Sequence, residues 1–352
     1  MSRLWSANVH TLTPYVPGEQ PKVENLIKLN TNESPYPPSP KVLEAIEQAA
    51  KSLRLYPDPV SAKLKQTLAD YHQLTSDQIF VGNGSDEVLA HVFAAFFKQD
   101  LPLYFPDLTY SFYPVYAKLF EIETVTVELN AKFEIDPNDY QSPAGGVIFA
   151  NPNAPTGHLL GLDAVRQIAR QQPDCAVVVD EAYIDFGGQS AVALVNEFPN
   201  VLVVRTYSKS RALAGSRVGY AMGNSELIEG LNRVKDSFNS YPIDRLAEAA
   251  AVASVEDNDY FEACCEKVIA QREWLAAELS KLDFTTLPSF ANFVLTEHAT
   301  FDAKTIATKL RDQHIIVRYL GAARIENHLR ISVGDEAQNQ ALINALSHIV
   351  QG

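Results

Sequence analysis

The chain is poor in sulfur, with three cysteines (Cys175, Cys264 and Cys265) and two methionines among 352 residues. No CxxC pair occurs, and no histidine stands at metal-ligand spacing from a cysteine, which argues against a zinc site and against a disulfide framework. Basic residues are also scarce: 29 Lys and Arg face 43 Asp and Glu, for a formal net charge of −14. So acidic a surface repels a polyanion, and nucleic acid is not an expected partner. No apolar run reaches the length of a membrane span, and the first residues lack the charged-then-apolar pattern of a secretory signal. The expected compartment is the cytoplasm, with no membrane partner. Internal repeats, low-complexity tracts and a basic helix-turn-helix stretch are missing as well.

What remains is ordinary globular material, 46% hydrophobic and 20% charged, long enough for a large domain and a smaller one. Pro14, Pro17, Gly18, Pro21, Pro35, Pro37, Pro38 and Pro40 crowd the start, and residues 1–35 read as an extended N-terminal arm. A helical stripe of Val42, Leu43, Ile46 and Ala49 or Ala50 then stops at Tyr56-Pro57-Asp58-Pro59, and a second helix is expected over 62–71. Short strand-like runs at 79–81, 103–105, 124–127, 147–150, 176–179 and 201–204 alternate with longer amphipathic segments. Several are apolar at consecutive positions, as strands buried on both faces must be. The pattern predicts an α/β fold over 36–245, with a mainly parallel sheet sandwiched by helices. Past 246 the pattern changes to long helices at 246–254 and 260–282, followed by strand-like runs at 293–295, 315–317 and 329–333. These predict a smaller α+β domain over 246–352.

Chemistry concentrates where apolar strands end. Thr206-Tyr207-Ser208-Lys209-Ser210-Arg211 follows the 201–204 run, with Arg217 close behind. A lysine set between hydroxyl residues at a strand end can point into a cleft, and a nearby arginine can hold an anion beside it. Together they suggest a phosphorylated carbonyl cofactor, although a lone lysine is more often a solvated charge. Asp180 ends the run at 176–179, on the sheet edge where open α/β folds bind ligands, and could keep a pyridine nitrogen protonated. Asn151-Pro152-Asn153-Ala154-Pro155-Thr156-Gly157 is either a turn alone or a turn that aims Asn153 at a ring hydroxyl, with Tyr183 beside it. Gly82-Asn83-Gly84-Ser85-Asp86 opens a helix whose N–H groups and Ser85 hydroxyl suit phosphate, though helix caps look the same. Tyr110 is either a ring-stacking aromatic or a core tyrosine.

These segments, in this order, resemble fold-type-I aminotransferases, and the histidinol-phosphate aminotransferases in particular. Further matches are Leu29-Asn30-Thr31-Asn32-Glu33-Ser34-Pro35, Tyr56-Pro57-Asp58, Phe290-Ala291-Asn292-Phe293 and Leu329-Arg330-Ile331-Ser332-Val333-Gly334, so that the resemblance spans nearly the whole chain. It implies pyridoxal 5'-phosphate carried covalently on Lys209, with Asp180 on the ring nitrogen, Asn153 and Tyr183 on the ring oxygen, and Tyr110 stacked on the ring. Ser85, Asp86, Ser208 and Arg217 would hold the cofactor phosphate, and Tyr56 would reach it from the second chain of a homodimer. Arg318, Arg330 and Tyr15 would meet the substrate. The implied reaction passes an amino group from L-histidinol phosphate to 2-oxoglutarate. Aromatic-amino-acid aminotransferases and a threonine-phosphate decarboxylase share most of the motifs. Many relatives have an aromatic-glycine pair where this chain has Arg211-Ala212, and no role is assigned to Arg211.

Overall fold

In the computed structural model, which describes residues 2–351, all six expected runs of the first part lie in one seven-stranded sheet. Met1 and Gly352, the outer ends of the expected arm and C-terminal domain, fall outside the described residues. The strand order is Ile79–Asn83, Val218–Gly223, Val201–Thr206, Val177–Asp180, Gly146–Ala150, Leu103–Pro106 and Thr124–Val127. Val218–Gly223 runs antiparallel to both neighbours, and the pairs from Val201–Thr206 to Thr124–Val127 are all parallel. Three central strands, Val201–Thr206, Val177–Asp180 and Gly146–Ala150, are buried at every position, as their apolar runs require, and the burial extends to Arg205, Thr206 and Asp180 at the strand ends. The Val218–Gly223 strand was not expected. Its Val-Gly-Tyr-Ala-Met-Gly sequence has too few β-branched residues to signal a strand, and Gly219 is there for a close approach: a Cβ on it would stand 2.3 Å from the Ser85 nitrogen.

A second sheet has the order Ile27–Leu29, Ile315–Tyr319, His328–Ser332, Phe293–His298 and Phe284–Thr286. Helices Asn258–Ser280, Ala303–Asp312 and Glu336–Gln351 supply its core partners, including Leu275, Leu279, Ile306, Leu310, Leu342 and Leu346. Three expectations need correction. The end of the proline-rich arm is not wholly extended coil, because Ile27–Leu29 pairs in parallel with Ile315–Tyr319. The helix Arg245–Glu256, expected in the smaller unit, buries Ala247, Ala250 and Ala251 in the core of the first sheet. Its small side chains let it lie close against Pro40–Ala50, so the packing changes after Glu256 and not at 246. The stripe on Pro40–Ala50 is also narrower than expected, with Val42 buried and Leu43 54% exposed.

Between the two sheets lies a seam of Tyr183, Phe186, Phe261, Phe293 and Val333. The carboxyl ends of Val177–Asp180 and Val201–Thr206 open onto this seam. No helix among the described residues is long and apolar enough to cross a membrane.

Candidate active site

Parallel pairing sets Ala150, Asp180 and Val204 side by side at the strand ends, and the chain leaves the last of these strands into the turn that carries Lys209. An inner cavity of about 130 Å³ is lined there by Ser85, Asp86, Tyr110, Asp180, Tyr183, Ser208, Lys209 and Arg217, together with Ala150, Ala154, Ala182 and Thr206. Eight residues singled out from widely separated motifs thus meet around one space.

Asp180 is the deepest of them. Its Oδ2 accepts from the Tyr113 hydroxyl at 2.9 Å, whereas its Oδ1 is buried without a partner. Burial raises the carboxyl to about 6, against the opposing hydrogen bonds from Tyr113 and the Ala182 backbone N–H. A buried carboxylate oxygen with no donor is costly unless a ligand supplies one.

At the other end of the cavity, Arg217 donates to the Ser208 hydroxyl (3.2 Å) and to Asp86 Oδ2 (3.2 Å), and Tyr110 donates to Asp86 Oδ1 (3.0 Å). Gly84, at φ +78°, begins the helix Gly84–Val92, and a Cβ there would stand 2.5 Å from Arg217 Nη2. Glycine at 84 and 219 therefore keeps open a cradle of one guanidinium, two serine hydroxyls and a helix N-terminus, a donor set suited to a phosphate. The Asp86 carboxylate orients Arg217 and Tyr110, which leaves its backbone N–H, in the first turn of the helix, as the group it can offer an anion.

Lys209 stands at the mouth, with its Nζ donating to the Thr31 carbonyl at 3.1 Å and 5.8 Å from the Tyr183 ring centre. The turn beneath it is pinned from below. Ser210 donates to Asp185 Oδ2 at 2.5 Å, and the same carboxylate pairs with buried Arg205, whose charge holds it below its ordinary range despite burial.

Lys209, Tyr110, Tyr183 and Ala154 also border an outer cavity of about 860 Å³, whose wall includes Tyr15, Arg318, Arg330, Leu108, Leu320 and Ile325. Arg318 and Arg330 sit opposite each other in the strand register. Arg330 donates to the Asn30 carbonyl at 2.8 Å, and its Nε is buried without a partner. Tyr15 leans on Phe112, with ring centres 4.7 Å apart, so the arm roofs this cavity.

Two expected site residues are not brought in. Asn153 lines neither cavity. Its amide donates to the Leu108 carbonyl (2.9 Å) and to Thr156 Oγ1 (3.1 Å), and its Oδ1 accepts from Thr109 (3.0 Å), which commits it to holding the turn. The next residue, Ala154, faces the space instead. Tyr56 is 79% exposed and packs on Tyr241. Arg211 meets neither phosphate nor solvent: it is buried 3.9 Å from the centre of the Phe261 ring, near Tyr71 and Tyr207, and donates to the Ser254 carbonyl at 2.6 Å.

The model of the family described as aminotransferase class I and II matches residues 24–346. The chain belongs to this aminotransferase family. Relatives of this aminotransferase include the histidinol-phosphate aminotransferase 1 of Hydrogenovibrio crunogenus, 59% identical over 100% of this chain and 99% of the relative. The histidinol-phosphate aminotransferase of Acinetobacter baumannii strain SDF is 56% identical over 98% and 96%. Among solved structures, the histidinol-phosphate aminotransferase of Sinorhizobium meliloti in complex with pyridoxal 5'-phosphate superposes with a TM-score of 0.90 at 26% identity, covering 100% of this chain and 98% of that one.

Sequence reasoning missed several residues of this aminotransferase site. Thr31 receives the lysine. Asn32 donates to the Tyr183 hydroxyl at 3.0 Å and accepts from Ser332, which ties Tyr183 to the second sheet. Tyr110, Tyr113 and Tyr116 form a comb across the start of helix Tyr113–Phe120: Tyr110 and Tyr116 grip Asp86, and Tyr113 grips Asp180. Their spacing of three was a readable signal for one helical face.

Proposed function

We propose that this protein transfers the amino group of L-histidinol phosphate to 2-oxoglutarate, giving imidazole-acetol phosphate and L-glutamate in histidine biosynthesis, with pyridoxal 5'-phosphate carried on Lys209. The observation that carries the substrate is identity of 56% and 59%, over nearly the whole chain, to relatives named for this reaction. Arg318 and Arg330 support it, because a guanidinium fork binds a phosphate ester and a glutamate carboxylate equally well, and the two half-reactions present one of each.

The inner cavity suits the cofactor in three respects. The unpartnered Asp180 Oδ1 awaits a protonated ring nitrogen, the Ser85–Ser208–Arg217 cradle a phosphate, and the Lys209 amine an aldehyde. When bound, pyridoxal phosphate supplies a conjugated ring that takes up the negative charge left as the substrate carbon loses its proton. Asp180 keeps the proton on the ring nitrogen. Tyr183, its hydroxyl oriented by Asn32, donates toward the ring oxygen, while Asn153 acts one step back by shaping the turn that presents Ala154. Tyr110 offers a flat face for stacking. Lys209, its amine freed when the substrate amine takes its place on the cofactor, would be the base that takes the proton from the substrate carbon and holds it for return. Arg318 and Arg330 hold the acidic end of the substrate, and Tyr15 excludes water above it.

The same reading makes the protein a cytoplasmic homodimer of two-domain chains, the larger domain extending through Glu256 and the smaller one taking in Ile27–Leu29. Exposed Leu55, Tyr56 and Phe238 offer a second copy an apolar face. Tyr56 of the partner subunit would complete the phosphate cradle.

The test is a single half-reaction. Holoprotein is mixed with L-histidinol phosphate or with phenylalanine, and conversion of the bound cofactor to its amine form is followed by absorbance. Fast conversion by the phosphate ester is expected; preference for phenylalanine would move the assignment to aromatic amino acids, and loss of carbon dioxide without an acceptor would move it to a decarboxylase.

A further inference from the structure

We infer that Tyr113 is a positioning residue for the ring-nitrogen carboxylate: its hydroxyl fixes one oxygen of Asp180 so that the other can point only into the cofactor cavity. The inference rests on the reading of the inner cavity as the pyridoxal phosphate site.

Tyr113 is fully buried in the first turn of helix Tyr113–Phe120, where Phe93, Phe105 and Tyr110 surround its ring. Nothing in such an apolar setting requires a hydroxyl, and a phenylalanine would fill the same volume. The hydroxyl instead makes one directed bond, to Asp180 Oδ2 at 2.9 Å. The Ala182 backbone N–H also acts on this carboxylate, but Asp180 Oδ1 stays buried with no hydrogen bond of ordinary geometry. A carboxylate held at one oxygen loses its freedom to rotate, so the entropy of aligning it is already spent when the ligand arrives. The same bond favours the ionised form of Asp180, the form that pairs with a protonated ring nitrogen, and it opposes the burial that favours the acid. Tyr113 also meets Tyr110 edge to face, with centres 5.5 Å apart at 87°, so one side chain steadies both the carboxylate and the proposed stacking ring.

The experiment is a double-mutant cycle on cofactor affinity, run with wild type, Tyr113→Phe, Asp180→Asn and the double variant. Each purified apoprotein is titrated with pyridoxal phosphate from about pH 5 to pH 8. Tyr113→Phe is expected to weaken binding about tenfold in the wild-type background, the scale of one lost hydrogen bond to a charged group, and by less than about twofold in the Asp180→Asn background. Relative to wild type, the acid limb of its affinity profile is expected to move to higher pH. Fluorotyrosine introduced at position 113 alone, a stronger donor of nearly the same size, is expected to move that limb to lower pH, and this arm does not depend on Tyr113→Phe folding. Equal weakening in both backgrounds, or an acid limb unmoved by either replacement, would reduce Tyr113 to a packing residue and overturn the inference. Failure of wild type itself to bind the cofactor would instead remove the underlying site assignment, a distinct result.

Discussion

Arg324 donates to the Asp107 carboxylate at 2.8 Å and to the carbonyls of Leu129 and Asn130 at 2.9 and 3.0 Å. Asp107 in turn accepts the backbone N–H groups of Leu108 and Leu129. Arg324 lies in the 320–327 loop between two strands of the second sheet, and Asp107 directly follows the strand Leu103–Pro106 of the first. The pair therefore clasps together the two halves of the outer cavity wall, Leu320, Ala322 and Ile325 on one side and Leu108 on the other. Arg324 holds a left-handed backbone, φ +70°, which the clasp helps to keep.

Arg324→Ala should loosen that wall without touching the cofactor cavity. KM for the phosphate ester is expected to rise about five- to tenfold, a value kept modest because both partners are about a quarter exposed. Cofactor affinity should stay within about twofold of wild type. Steady-state kinetics alongside a cofactor titration separate the two, and an unchanged KM would dismiss the clasp.

Lys209→Ala removes the only amine at the junction of the two cavities among the residues that line both. Turnover should fall by about 10⁴ or more, and the visible absorbance of covalently held cofactor should vanish while reversible binding through the phosphate cradle persists. Steady-state activity near that of wild type would sink the assignment of this lysine.

Asp180 gives a prediction with a definite sign in pH. Burial holds its carboxyl at about 6, above the ordinary 3.8, so between those values the folded chain keeps a proton that the unfolded chain has lost. Stability of the cofactor-free protein therefore falls as pH rises through that window, and above it the full penalty is present. Asp180→Asn should raise the melting temperature of cofactor-free protein by about 2–4 °C near pH 8, with the gain shrinking toward zero near pH 4. The same variant should bind cofactor more weakly. A thermal melt across pH checks the first effect, and a melting temperature lowered at every pH would contradict it.

Arg211→Leu tests the aromatic box beneath the lysine turn. The change leaves the Ser254 carbonyl without its donor and removes a cation lying over the Phe261 ring. A loss of about 2–4 kcal/mol in unfolding free energy is expected from the orphaned acceptor and the lost ring contact together. Urea denaturation measures it, and a loss under about 0.5 kcal/mol, the size of an ordinary surface change, would show the box to be dispensable.

Sequence alone determined the parts whose information is local. Runs such as 147–150 are apolar without interruption, and such runs are stable only inside a covered sheet, so the α/β layer and its strand ends were legible. Ser208, Lys209 and Arg217 lie within ten residues of one another after such a strand, and one short connection delivers them to one place. Only the tertiary structure decided the rest. Ile27–Leu29 is a strand because Ile315–Tyr319 offers it a ladder, a partner that its proline-rich surroundings cannot announce. Helix Arg245–Glu256 joins the first core because its alanines fit against Pro40–Ala50, and composition does not say which neighbour small side chains will find. Asn153 and Ala154 are adjacent in one turn; which of them faces the cavity is set by Leu108 and Thr156, whose acceptors capture the amide. Tyr113 carried no chemical signal of its own until folding set its hydroxyl against Asp180. Periodicity reports which side of an element is buried, whereas the partner of a directed hydrogen bond is chosen by groups that come near only when the whole chain has packed.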